Sequence, residues 1–155
     1  MKEIIKNKAG KYGLPLGVVK AIIIVESTNN TWATRYEPKY RWLYNVDDYV
    51  NGFQNRTTEE ICQKISWGPM QVMGAVAREL GFKGTFLSEL NDPEVGIEYG
   101  CMHLSNLKRR FTMSDCLSVF CDRMVAAYNA GSPRLKKNGE YVNQDYVDKV
   151  LQNWK

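Results

Sequence analysis

The stretch from Pro15 to Ser27, PLGVVKAIIIVES, constrains the fold more than any other part of the chain. Its spacing predicts a buried helix that ends in an acid. Pro15 suits a first helical position, where its missing N–H costs nothing. Leu16, Val19, Ile23 and Glu26 recur at helical intervals and share one face. Glu26 therefore lies on the stripe that should build the core. Desolvation there disfavours a charged carboxyl, and the negative end of the helix dipole acts in the same direction. Both effects raise a carboxyl pKa, as a general acid working near neutral pH requires. The alternative is a glutamate that leaves the core at the helix end and reaches solvent.

The chain has 155 residues, enough for one domain with a sizeable core. Its net charge of +4 suits an acidic partner such as a bacterial cell wall, nucleic acid or a membrane surface, without choosing among them. Lys108, Arg109 and Arg110 read as a solvated helix end. The purely aliphatic run Ala21 to Val25 is too short to span a bilayer, so no membrane insertion is expected. The opening MKEIIKNKAG lacks the apolar segment of a secretory signal, so synthesis in a cytosol without a signal peptide is expected. The four cysteines, Cys62, Cys101, Cys116 and Cys121, form no CxxC pair, and His103 is the only histidine. That set gives no support for a metal site and none for a cofactor, and free thiols are the expectation.

Lys2 to Tyr12 reads as a short amphipathic helix with Ile4, Ile5, Ala9 and Tyr12 inward, capped by Gly13. Thr28 to Asn55 has no helical period and is rich in rings, among them Trp32, Tyr36, Tyr40, Trp42, Tyr44 and Tyr49. Most of these rings are expected to cover the core, with two or three left for a ligand. Thr57 to Ile65 reads as a helix capped by Thr58. Pro69 is expected to open the next helix, with Met70, Met73, Ala77 and Leu80 inward, Gln71 in its first turn and Gly81 at its end. Asp92-Pro93-Glu94 is a strong helix start, and that helix should reach about Arg110, with Tyr99, Met102 and Leu107 in the core and His103 structural. Ser114 should cap a helix carrying Leu117, Cys121, Met124 and Tyr128 inward and ending at Gly131. Ser132 to Glu140 reads as a basic turn. Asn143 should cap a last helix with Val147, Val150 or Leu151, and Trp154 inward. No repeat or linker interrupts this pattern, so residues 1–155 read as one mainly helical domain with a long, irregular, aromatic-rich segment.

Several short motifs occur in order: Glu26-Ser27, Gly68-Pro69-Met70-Gln71, Asn91-Asp92-Pro93-Glu94 with Gly96-Ile97, Ala127-Tyr128-Asn129-Ala130-Gly131, and Tyr146-Val147. In this order and at these separations the chain resembles the soluble lytic transglycosylase (SLT) domain. That domain is a relative of goose-type lysozyme, and the likeness is to its small form in bacteriophages and some bacterial secretion systems. The resemblance runs from about Leu14 to Leu151, and Arg35-Tyr36-Glu37-Pro38 also looks like phage-type members. It implies a lysozyme-like helical fold and peptidoglycan strands as partner. It implies Glu26 as the sole catalytic acid/base, with Ser27 contacting it or the substrate. Met70 and Gln71 would line the cleft, Gln71 bonding a sugar. Tyr128 and Asn129 would position the glutamate and the glycan, and Tyr146 would approach the glutamate. Many members have Leu where this chain has Pro69.

The chemistry so implied is cleavage of the β-1,4 bond after N-acetylmuramic acid, with closure to a 1,6-anhydro ring and no water consumed. It needs one carboxyl group where ordinary glycosidases use two. Glu37, Asp47 or Asp48 could supply a second acid; with Asp47 or Asp48 as base the enzyme would be an inverting muramidase. A non-catalytic peptidoglycan-binding module is the alternative of another class. Nucleic-acid binding has no motif behind it, and a monomer is expected. The place of action is expected to be the bacterial cell wall, after release or export, as for a phage-encoded lysis enzyme.

Overall fold

The apolar run around Ile22 does form the buried helix its spacing predicts. In the computed structural model, which describes residues 1–111 and 121–154, Val18, Val19, Ala21, Ile22 and Ile23 are buried in a helix spanning Leu16–Ser27. Pro15 stands one residue before it, and its carbonyl accepts from Val18 and Val19 at 3.0 and 3.3 Å. The elements run α1 (Lys2–Lys11), α2 (Leu16–Ser27), β1 (Thr34–Tyr36), α3 (Arg56–Gln63), β2 (Ile65–Trp67), β3 (Val72–Met73), α4 (Gly74–Glu79), α5 (Pro93–Lys108), α6 (Asp122–Ala130) and α7 (Gln144–Trp154). The fold is mainly helical, with short 3-10 turns at Val46–Tyr49 and Leu87–Asn91. Among the described residues no helix is long and apolar enough to cross a membrane.

Two compact units emerge: Met1–Val25 with Cys101–Lys155, and Glu26–Gly100. In the first, Ile5 and Ala9 of α1 are buried, and Gly13 takes φ +60° just after the helix. The Tyr12 and Gly13 carbonyls receive Ser105 Oγ at 3.2 Å and Lys108 Nζ at 2.7 Å from α5. Trp154 of α7 lies against Gly17, where an added Cβ would meet the indole Cδ1 at 2.7 Å. Helix α6 stops at Gly131 in a left-handed cap (φ +73°), as its sequence predicts. The expected helix start at Ser114, with Leu117, lies outside the described residues. Ser132 to Glu140 is part of a small hairpin that pairs Leu135 with Tyr141. Cys62 and Cys101 keep their thiols, but Cys121 is disulfide-bonded. The free-thiol expectation fails there because bonding follows proximity in space, not spacing in sequence.

The second unit is built on a three-stranded antiparallel sheet, order β1-β2-β3, pairing Arg35 with Ser66 and Trp67 with Val72. This corrects the expected helix opening at Pro69. Gly68 to Gln71 is instead the turn of the β2–β3 hairpin, and α4 starts at Gly74. Strands of two and three residues are too short to show a period of two. The cap of α3 is Asn55, not Thr58: its Oδ1 accepts from Thr58 N at 2.9 Å. Asp92 does cap α5, accepting from Glu94 N at 2.8 Å. The helix stops at Lys108, two residues before the expected Arg110.

A buried ion pair organises this unit, and no sequence pattern announced it. Glu59 of α3 and Arg78 of α4 have 0% and 1% side-chain exposure and meet through Nε–Oε1 at 2.8 Å and Nη2–Oε2 at 3.1 Å. Arg78 also donates to the carbonyls of Phe82 and Gly84, and its guanidinium lies 4.0 Å from the Tyr49 ring centroid. Gln54 and Gln63 donate to the same carboxylate, and Gln63 exchanges hydrogen bonds with the Tyr44 backbone at 2.7 and 2.8 Å. The irregular segment is thereby tied to α3 and α4 through Tyr44, Tyr49 and Gln54. Replacing Arg78 by Leu strands a buried carboxylate and should cost about 3–5 kcal/mol. Adding Glu59→Leu should restore part of that stability. Urea unfolding of both variants reads this, and a single-variant loss below about 1 kcal/mol would contradict the network's role.

Candidate functional site

Glu26 and Ser27 close helix α2, and both are half-buried. Glu26 therefore neither sinks into the core nor stands free in solvent. The chain then turns through two consecutive left-handed residues, Thr28 (φ +53°) and Asn29 (φ +63°). A β-branched residue in that region is strained, and such strain clusters where function holds a backbone in place. Gln71, at φ +48°, is a third such residue.

These strained stretches meet. Ser27 Oγ donates to the Pro69 carbonyl at 2.8 Å, fixing the end of α2 against the Gly68–Gln71 turn. The turn closes by Gln71 N donating to Gly68 O at 3.1 Å, and Gly68 N donates to Ala33 O at 2.9 Å. The Gln71 side chain braces it: Nε2 donates to Ala33 O and Gly68 O at 2.8 and 2.9 Å, and Oε1 accepts from Ser66 Oγ at 2.9 Å. Both amide hydrogens are thus engaged within the protein. Gln71 holds the turn and is not the first-turn helical residue its sequence suggested.

Two glycines explain why this turn sits where it does. A Cβ on Gly68 would lie 2.1 Å from the Leu90 carbonyl oxygen, and one on Gly96 would lie 2.2 Å from the same atom. Gly68 also needs φ +71°. The Asn91-Asp92-Pro93 helix start therefore packs directly on the turn. Met70 has 0% exposure, and Gly100 leaves space for its side chain. With its side chain buried, Met70 anchors the turn from below.

In the other unit, Tyr128 of α6 is buried, and its ring stands 5.3 Å from His103 of α5. Asn129 is exposed, and its Oδ1 accepts from Asn143 Nδ2 at 3.0 Å. The same Nδ2 donates to Ala126 O at 3.0 Å. Asn143, expected only as a helix cap, thus locks the start of α7 to the Tyr128-Asn129 segment. Tyr146, half-buried, lies in the first turn of α7. Of the alternative acids, Asp47 pairs with Arg56 and Glu37 with Arg35, while Asp48 is exposed. Of the rings named in the aromatic segment, three stand in solvent, within the two or three expected: Trp32 is 75% exposed, Trp42 72% and Tyr36 51%.

The chain matches the family model described as transglycosylase SLT domain over residues 3–150. The chain belongs to that family. No curated protein matches it. The SLT match spans both units and every motif residue named above. The mainly helical fold with its small sheet agrees with a lysozyme-like SLT domain.

His103 of α5 stands against Tyr128, largely withdrawn from solvent. Burial, and then the Arg110 charge, lower its pKa from 6.5 to about 4. The folded state binds the proton less well than the unfolded chain. The neutral-imidazole contribution is thus complete above pH 6.5 and disappears as pH falls towards 4. That loss amounts to about 3 kcal/mol. His103→Gln should flatten the stability profile across this window, as read by urea unfolding at stepped pH. An unchanged slope would show that His103 is not the group responsible.

Proposed function

We propose that this SLT-domain protein is a lytic transglycosylase, cutting the β-1,4 bond between N-acetylmuramic acid and N-acetylglucosamine in peptidoglycan. The observation that carries the reading is Glu26: a half-buried carboxyl at the end of an apolar helix, next to a serine pinned to the Gly68–Gln71 turn.

Glu26 starts protonated and gives its proton to the bridging oxygen as the glycosidic bond breaks. Positive charge grows on the muramic ring, and the substrate's acetamido oxygen offsets it. The Glu26 carboxylate then takes the proton of the C6 hydroxyl on the same sugar. That oxygen bonds to C1, closing the 1,6-anhydro ring. The proton given in the first half returns in the second, so no base is needed beyond Glu26 and no water is consumed. The engagement of Asp47 with Arg56 and of Glu37 with Arg35 counts against those two as a second acid, leaving exposed Asp48 as the remaining alternative. Tyr128 orients the glycan, the neutral His103 ring fixing its side chain. The wall lies outside the compartment of synthesis, so delivery by lysis or export is part of this reading.

Glu26→Gln keeps the shape of the side chain and removes its proton chemistry. It should abolish release of soluble fragments from purified walls while wall sedimentation still carries the protein down. Turnover within about tenfold of the unsubstituted chain would remove Glu26 from the chemistry. Tyr128→Phe should lower kcat by roughly ten- to a hundredfold with little change in KM. A rise in KM alone would make Tyr128 a simple contact.

A further inference from the structure

Away from the Ser27–Pro69 contact, the unit spanning Glu26–Gly100 holds a cavity of about 590 Å³ lined by Pro38, Lys39, Tyr40, Arg41, Leu43 and Lys64. Three of these six side chains are cations. None of the three has an ion-pair partner among the described residues, although Arg35 and Arg56 nearby in sequence are both paired. Three unpaired cations around one cavity form a site of concentrated positive potential. Tyr40 adds a hydroxyl, and burial, then the Glu79 charge, push its pKa up, so it remains a donor. Its ring is held edge-on by Trp42, with centroids 5.5 Å apart. Lys64 is fixed from below, since its carbonyl accepts from Glu37 N at 2.8 Å where β1 and β2 part.

The position of the cavity decides its occupant. Strand β1 connects it to the turn that Ser27 touches: Ala33, at one end, accepts from Gly68 and Gln71, and Glu37, at the other, bonds Lys64. Three strand residues span about 10 Å. A peptide attached to the muramic sugar at the cleavage point covers that distance in three or four extended residues. Peptidoglycan stems are such peptides, and they carry free carboxylates.

We propose that the Lys39, Arg41, Lys64 and Tyr40 cavity binds a carboxylate of the peptide stem, so that the protein reads stem-bearing glycan in preference to bare glycan. This rests on peptidoglycan being the substrate. Arg41 offers a fork to a carboxylate, the lysines offer point charges, and Tyr40 donates a neutral hydrogen bond.

The test uses the full chain carrying Glu26→Gln, so that nothing is cut, with and without Lys39→Gln, Arg41→Gln and Lys64→Gln together. Each is titrated calorimetrically with glycan oligomers bearing tetrapeptide stems, the same oligomers stripped of stems, and oligomers whose stem carboxylates are amidated. The parent should bind the stem-bearing oligomer about tenfold tighter than the stripped one. The triple substitution and the amidation should each erase that preference, with stripped-oligomer affinity kept within about twofold. Equal binding of stem-bearing and stripped glycan by the parent overturns the pocket and leaves the transglycosylase reading standing. Equal loss on both oligomers in the triple variant overturns it too, as does tighter binding of an oligonucleotide at the same residues. Failure of the parent to bind any glycan sinks both readings. A thermal midpoint for the triple variant matching the parent's excludes misfolding as the cause of a loss.

Discussion

The backbone carbonyl of Leu90 has two glycines against it, and the candidate site depends on that crowding. Gly68 approaches from the hairpin turn and Gly96 from the first turns of α5, each so close that a methyl group would overlap the oxygen. The turn is thereby seated on the start of α5, and Ser27 ties the end of α2 to the turn through the Pro69 carbonyl. A glycine motif, a capped helix start and a Glu-Ser pair far apart in sequence become parts of one packed arrangement. Met70 and Gln71 serve it from inside, one as a buried anchor and the other as a brace for three polar groups. The left-handed conformations of Thr28, Asn29 and Gln71 persist because this packing over-determines them.

The Glu59–Arg78 pair does the corresponding work for the aromatic segment. A long stretch without periodicity cannot bury enough backbone polarity by itself, and irregular loops of that length are uncommon in small domains. Here the Tyr44 amide and carbonyl are taken up by Gln63 and the Tyr49 carbonyl by Gln54, and the Nε2 of each glutamine also donates to the buried carboxylate. With Tyr49 stacked on the guanidinium, the segment is held at a few points and leaves Trp32, Tyr36 and Trp42 in solvent. Flat amphipathic rings of that kind are suited to sugar faces.

Helices with a strong apolar face or explicit punctuation were legible in sequence. Helix α2 announced itself by its aliphatic face, α5 by Asp92-Pro93, and the end of α6 by Gly131. The hairpin at Gly68–Gln71 was not, because its strands are too short for alternation and Pro69 is as acceptable in a turn as at a helix start. The cap of α3 moved from Thr58 to Asn55 because both are good capping residues one turn apart. The buried pair was invisible because a glutamate and an arginine nineteen positions apart carry no local pattern. At the candidate site, the residue types pointed to the motifs, but which side chains face inward depends on contacts the sequence does not state. Met70 is the clearest case, since a hydrophobic motif residue reads equally as lining or as anchor. The disulfide at Cys121 belongs to the same class of facts settled only in space.

In the proposed function one carboxyl group completes the reaction by closing a ring within the substrate, where a glycosidase with two acids would use water. Digesting purified peptidoglycan in water enriched in heavy oxygen and weighing the released fragments tests this most directly. Ring closure should yield anhydro-ended fragments carrying no heavy oxygen. Reducing-ended fragments, heavier by one labelled water, would contradict it.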